Sequence, residues 1–204
     1  MTDALNKIPQ GPADGNAVYF IKVTRDIQGV PTEIFVATEY LADMPSYVAT
    51  IPAITLGANK NIASLVNKVG SGKTVRIQNI YAVPSMSAAV AGLQVTLEIH
   101  GIGALGPSLG SVVTIRAHDT DDGPIPPEIE ARNNPTATPA ANWILSSGVV
   151  NPEETSARGG QSTIFQKIGN ISSLILREGE GILVKQTALG GAGAINLHVV
   201  FLVD

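Results

Sequence analysis

The chain has 204 residues, of which 44% are hydrophobic and 15% are charged, and its formal net charge is −4. Thirteen basic residues against seventeen acidic ones give no electrostatic footprint for nucleic acid or for an anionic membrane, so neither is expected as a partner. The absence of cysteine excludes disulfides, thiolate metal sites and cysteine nucleophiles.

Residues 1–16 carry four prolines and glycines and few apolar anchors, so we expect an extended N-terminal arm. The arm lacks the charged and apolar regions of a secretory signal, and no apolar run in the sequence approaches the length of a membrane span. We therefore expect synthesis in the cytoplasm as a soluble protein.

The next segment predicts a β-hairpin. Residues 17–23 and 32–37 have the composition of short strands, and a polar turn at Asp26–Gly29 separates them. Residues 39–58 have no regular period of apolar residues, and their two prolines remove backbone donors. This predicts an irregular connection.

Residues 70–74, with the sequence GSGKT, match the end of a phosphate-binding P-loop. The first glycine of that motif would lie at position 67, which is Asn67, and the motif needs a helix after it. The residues from Val75 alternate as a strand does. The pattern therefore predicts a β-turn and no nucleotide site.

Three further strands are predicted in the middle of the chain. Residues 75–82 alternate with a slip of one residue at Gln78–Asn79, as a β-bulge produces. Residues 93–99 alternate apolar and polar side chains, which predicts a half-buried strand, and residues 111–116 are rich in β-branched side chains.

The stretch Gly101–Gly106 matches the G-x-G-x-x-G pattern of dinucleotide-binding proteins. Pro107 and Gly110 oppose the helix that the pattern requires, and a new strand begins near Ser111. We interpret the stretch as a glycine loop that joins two antiparallel strands.

An acidic turn with His118, Asp119, Asp121 and Asp122 precedes Gly123 and offers oxygen ligands of the kind that Ca²⁺ prefers. The calcium-loop spacing is broken because two of the aspartates are adjacent, and the bidentate glutamate that ends such a loop is missing. The pattern favours a solvated acidic turn without a metal.

The chain offers no catalytic residues that we can identify. His100 and His198 lie in strands without a cysteine or paired carboxylate at ligand spacing, which is typical of structural histidines. No G-x-S-x-G motif supports a serine hydrolase. We predict no catalytic, cofactor-binding or metal-binding residue and no enzymatic activity.

Residues 119–142 predict a long loop with five prolines, which we interpret as a contact arm. Trp143 follows it beside apolar neighbours and is predicted to anchor the core rather than to stack on a sugar.

The C-terminal third predicts four strands. Residues 162–168 have the strand habit, and residues 174–176 and 182–184 are expected to face each other across a glycine turn at Arg177–Gly181. Residues 195–203 are apolar on one face and half apolar on the other, which predicts a central strand buried on both sides.

Nine strand starts in all, with many turns, predict an all-β fold: a single antiparallel, jelly-roll-like β-sandwich over residues 17–204, with an insertion loop over 119–142. Low charge and two-sided apolar strands predict a homo-oligomer.

Two stretches resemble β-rich virion proteins of tailed bacteriophages. Residues 176–184, LREGEGILV, followed by the closing strand up to Val203, are similar to the end of such proteins, and residues 75–81, VRIQNIY, are similar to an early jelly-roll strand.

This resemblance implies a capsid cement or decoration protein, a homotrimer on the capsid surface of the virion that clamps neighbouring major capsid proteins. A tail, baseplate or fibre-attachment protein would have the same features. A carbohydrate-binding β-sandwich module is the alternative of another class, but an aromatic content of 4% is low for sugar stacking.

Overall fold

The structure is a computed structural model of the chain. It describes residues 19–27, 30–38, 44–85, 95–103, 110–136, 142–150, 161–167, 173–187 and 193–204, and for 19–27, 30–38, 53, 142 and 143 it describes the backbone alone.

The described residues form strands and no helix. The strands are β1 (Tyr19–Ile27), β2 (Val30–Thr38), β3 (Ser46–Thr55), β4 (Asn61–Asn67), β5 (Val75–Pro84), β6 (Val95–Ile102), β7 (Ser111–Val113), β8 (Ile115–Ala117), β9 (Ile129–Asn133), β10 (Asn142–Val150), β11 (Ser162–Gln166), β12 (Leu174–Leu176), β13 (Glu180–Gln186) and β14 (Ala194–Val203). The predicted all-β class is confirmed.

The chain divides into two compact units, Met1–Met44 and Pro45–Asp204. In the first unit, β1 pairs antiparallel with β2 from Tyr19 opposite Thr38 to Ile27 opposite Val30, so the predicted hairpin is confirmed. Residues 1–18 lie outside the described part, and the expected arm over 1–16 stays a prediction.

The second unit contains two six-stranded antiparallel sheets. One has the order β10-β6-β13-β4-β9-β7, and the other has the order β11-β5-β14-β3-β8 with β12 also paired to β5. Alternate side chains of both sheets meet in one hydrophobic core, to which β3, β5 and β14 contribute from one sheet and β4, β6 and β13 from the other. Two sheets around one core are the layers of a β-sandwich.

The pairings in these sheets are nested along the chain. In sequence, the paired strands β3 and β14 lie outermost, and the pair β4 and β13 lies between them. The pair β5 and β11 lies inside that, and the pair β6 and β10 is innermost. Strands β7, β8 and β9 lie between β6 and β10 in sequence and extend the sheets beyond β3 and β4. The two outermost strands of the first sheet are therefore β10 and β7.

Strand β14 is central, as predicted, because β3 and β5 pair with it on either side. Its burial alternates strictly: Ile195, Leu197 and Phe201 are buried in the core, whereas the side chains between them are half-buried. The prediction of burial on both faces is therefore wrong, because His198 and its neighbours lie on the outer face.

The predicted bulge in β5 is confirmed. Val200 lies opposite Asn79 and Phe201 opposite Ile77, so Gln78 has no partner on β14. The expectation of an irregular connection over 39–58 is wrong, since β3 occupies ten of these residues. Pro52 is tolerated there because the ladder with β14 shifts between Ile51 and Ile54, where a backbone donor is not needed.

The predicted hairpin at the glycine turn is wrong. Strand β12 pairs with β5 in one sheet and β13 pairs with β4 and β6 in the other, so the chain crosses between sheets at Arg177–Glu180. Gly179 has a positive φ of 79° and donates its backbone N–H to the Asn67 carbonyl at 2.7 Å. Asn67 Nδ2 also donates to the Leu176 carbonyl, which holds the crossing in place.

The segment 111–117 differs from the expected single strand because it breaks at Thr114. Its first half, β7, pairs with β9 in one sheet, and its second half, β8, pairs with β3 in the other.

The predicted loop over 119–142 is also partly wrong. It contains β9, whose Ile129 and Ala131 are buried in the core, and its last residue begins β10. A segment that supplies core side chains is not a detachable contact arm.

Candidate interaction surface

The GSGKT stretch is a loop between β4 and β5, so the predicted turn is confirmed. Gly70 and Gly72 have positive φ angles of 97° and 63°. Their backbone N–H groups point at Glu178, whose carboxylate accepts from Gly72 at 2.5 Å. The amides that would cradle a phosphate in a P-loop therefore face a carboxylate of the chain itself.

The G-x-G-x-x-G stretch begins inside a strand. Gly101 and Ile102 belong to β6, opposite Ile182 and Gly181 of β13, and residues 104–109 lie outside the described part.

Within the described residues no helix is long and apolar enough to cross a membrane.

The acidic turn is fastened to the start of β3. Asp122 Oδ2 accepts from the Ser46 backbone N–H at 2.9 Å, and the hydroxyl of Tyr47 donates to the Gly123 carbonyl at 3.0 Å. Burial and the nearby Asp122 carboxylate raise the pKa of Tyr47. The described residues contain no group of three or more His, Asp or Glu side chains placed to hold a metal ion.

The two strand histidines have different surroundings. His198 Nδ1 lies 3.1 Å from Thr50 Oγ1, and its ring stacks on Tyr81 with centroids 4.7 Å apart. Burial lowers the pKa of His198 below its ordinary value of 6.5, so the ring stays neutral at physiological pH.

His100 corrects one expectation. Its Nε2 lies 2.9 Å from Glu98 Oε2, so a carboxylate does partner this histidine. The two residues share a face because side chains two apart in a strand point the same way, a signal that the sequence already contained.

Aromatic side chains that the structure describes offer no exposed ring for a sugar. Tyr47 and Phe201 are buried and stack at 5.9 Å, while Tyr81 and Phe165 are half-buried. Trp143 lies in β10 opposite Gly101. Its side chain lies outside the described part, so its role as a core anchor stays a prediction.

An exposed apolar ridge runs along the edge strand β10. A bulge at Leu145 places Ile144 opposite His100 and Val149 opposite Thr96, and both partners lie on the outer face of β6. Ile144 is 59% exposed and Val149 is 53% exposed, and Leu145 also reaches solvent. We call Ile144, Leu145 and Val149 the β10 ridge.

The ridge lacks two of the features that usually protect an edge, charged residues and proline. Strand β10 has no charged residue and no proline in nine positions, whereas natural edge strands are commonly blunted by both. Its Ser146 hydroxyl donates to the Ile164 carbonyl of β11, so the two sheets meet at this side. The backbone edge is thus close to the other sheet, and the apolar side chains are what β10 presents outward.

A groove lies between β7, the opposite edge strand of this sheet, and β3 of the other sheet. It has a volume of about 570 Å³ and is lined by Val48 and Pro52 of β3, by Val112 and Val113 of β7, and by Thr114 and Arg116 where the chain passes into β8. Val112 is 64% exposed. We call this the β7 groove.

Charged residues border both features. Arg116 is exposed at the β7 groove and has no ion-pair partner among the described residues. On neighbouring β9, Glu130 forms ion pairs with Arg132 and Lys68. Burial alone would raise the pKa of the Glu130 carboxyl, but these two cations lower it below its ordinary value. Next to the β10 ridge, Glu98 lies opposite Ser147.

Comparison of the chain with protein families, with curated proteins and with solved structures finds no match.

Sequence reasoning missed both the ridge and the groove. The signal for the ridge was present, since NWILSSGVV is an uncharged run between polar segments. The groove had no local signal, because it forms between β3 and β7, which lie some distance apart in sequence.

Proposed function

We propose that this chain is a non-enzymatic structural protein of a tailed-bacteriophage virion, a capsid cement or decoration protein. In this proposal it forms a homotrimer on the capsid surface after synthesis in the host cytoplasm, and it stabilises the head by bridging major capsid proteins. The proposed location in the virion rests on the likeness of residues 176–184 and 75–81 to phage virion proteins.

The single observation that carries an assembly role is the pair of apolar features on one sheet. Contiguous exposed apolar patches mark protein–protein contact sites in soluble proteins, whereas single exposed apolar side chains are common. The β10 ridge and the groove at Val112 lie at the two edges of one six-stranded sheet. A protein that works by burying surface in a symmetric assembly needs such sites.

We also propose that the sandwich is a jelly roll. A jelly roll has eight strands in two sheets and arises when a long antiparallel ribbon folds across itself. The nested pairs β3–β14, β4–β13, β5–β11 and β6–β10 form such a ribbon, and they alternate between the two sheets. Strands β7, β8 and β9 then belong to an insertion between the fourth and fifth strands of the roll.

The test is co-sedimentation of the purified protein with emptied heads of the phage that encodes it, prepared without this protein. We expect saturable binding that raises the temperature at which the heads break. Failure to bind heads at micromolar concentration contradicts the cement role. Binding to tails instead of heads supports the alternative of a tail, baseplate or fibre-attachment protein.

A further inference from the structure

We infer that the β10 ridge of one copy inserts into the β7 groove of the next copy, so that the subunits associate head to tail. The inference deepens the proposed function and rests on it for the closed homotrimer.

The position of the two features in the fold favours a contact between different patches. Strands β10 and β7 are the outermost strands of one six-stranded sheet, with four strands between them. A contact that joins two different patches generates a ring when the rotation closes, and a trimer is such a ring. A two-fold contact would instead join one patch to itself and would leave the other patch exposed.

Both features present exposed apolar side chains. On the ridge, Ile144 and Val149 lie on one face of β10 with Ser147 between them. The groove has apolar walls from Val48, Pro52 and Val112, and polar groups of Thr50, Ser111 and Asn133 also line it. Its volume of about 570 Å³ is in the range of sites that hold a small molecule or several side chains. Apolar contact at the centre of an interface supplies most of its binding free energy.

The charges at the two features are opposite in sign. Arg116 lies at the groove, and Glu98 is the charged residue directly beside the ridge on β6. Glu98 is also hydrogen-bonded to His100 and lies across from Lys185 on β13, so its attraction for Arg116 is partial. An exposed pair of this kind contributes about 0–1 kcal/mol. It favours the head-to-tail orientation, while the apolar contact supplies the affinity.

The occupant is therefore a second copy of this chain. No charged residue occurs in either β10 or β7, so neither strand repels its partner through a buried charge. A lysine placed on either feature would have to lose its hydration on contact, which strongly disfavours the complex.

The test uses two variants that each block one feature. Val112→Lys blocks the groove and leaves the ridge intact, whereas Ile144→Lys blocks the ridge and leaves the groove intact. Both positions are exposed, so the fold should persist, and thermal melts check this. Val149→Lys replaces Ile144→Lys if the latter misfolds. Val69→Lys is the matched control, because Val69 is 70% exposed in the loop after β4 and belongs to neither feature.

Native mass spectrometry with one variant labelled with ¹⁵N gives the readout. We expect the wild type and Val69→Lys to have the mass of three 21.1 kDa chains and each blocking variant to be monomeric. An equimolar mixture of the two blocking variants should form a one-to-one heterodimer, because one intact ridge then meets one intact groove.

Three results would overturn the inference. The wild type could be monomeric, the mixture could stay monomeric, or Val112→Lys could keep the wild-type mass, in which case the groove has another occupant. Head binding is measured separately, so loss of the head-to-tail contact and failure of the cement role are told apart.

Discussion

Gly181 has a role that its sequence context conceals. The sequence places it in a turn, where glycine supplies a positive φ, but it lies inside β13 with an ordinary φ. A Cβ atom at this position would lie 2.8 Å from the Leu65 carbonyl oxygen of β4 and 3.1 Å from side-chain atoms of Val66 and Ile102. Glycine is required here because neighbouring atoms leave no room for a side chain.

Gly181→Ala should therefore destabilise the fold by about 1–3 kcal/mol, the usual effect of overpacking a well-filled site. Gly103→Ala is the matched control, because a methyl group there would meet no atom within 4 Å and the φ of Gly103 is also ordinary. The control should change stability by no more than about 0.5 kcal/mol. Urea unfolding of both variants provides the comparison, and equal stabilities would refute the steric explanation.

At the scale of elements, substitutions in β14 test which face of this strand points into the core. Phe201 is fully buried and stacks on Tyr47, whereas Leu202, the next residue, is half-buried on the outer face. Phe201→Ala should reduce the free energy of unfolding by about 3–5 kcal/mol, because it removes a large buried ring and leaves a cavity. Leu202→Ala should reduce it by about 1 kcal/mol. Chemical denaturation measures both, and the reverse order would mean that the faces are assigned wrongly.

Local patterns predicted some elements well and others poorly, for physical reasons. The bulge at Gln78 and the strand β14 were predictable because their alternation is carried by neighbouring residues. Strand β3 was missed since Pro52 suggests a break, although the ladder has no need of its N–H. Strand β9 was missed because its five residues follow a proline-rich run, and the split at Thr114 depends on which sheet receives each half.

At the scale of the whole molecule, the sequence predicted the class but not the pairing. Strand β3 pairs with β14, and these partners are separated by most of the chain, so no local period can reveal the contact. The same separation explains why the groove between β3 and β7 was not predictable. The apolar residues of the ridge stand out in the sequence as an uncharged run, but the position of β10 at an edge depends on the same long-range pairing.

Self-association is the central claim, and the mass of the wild-type protein in solution tests it most directly. Multi-angle light scattering coupled to gel filtration at micromolar concentration measures that mass without a partner or a label. We expect a single species with the mass of three 21.1 kDa chains, since the ridge and the groove are then both covered. A monodisperse species with the mass of one chain would contradict self-association.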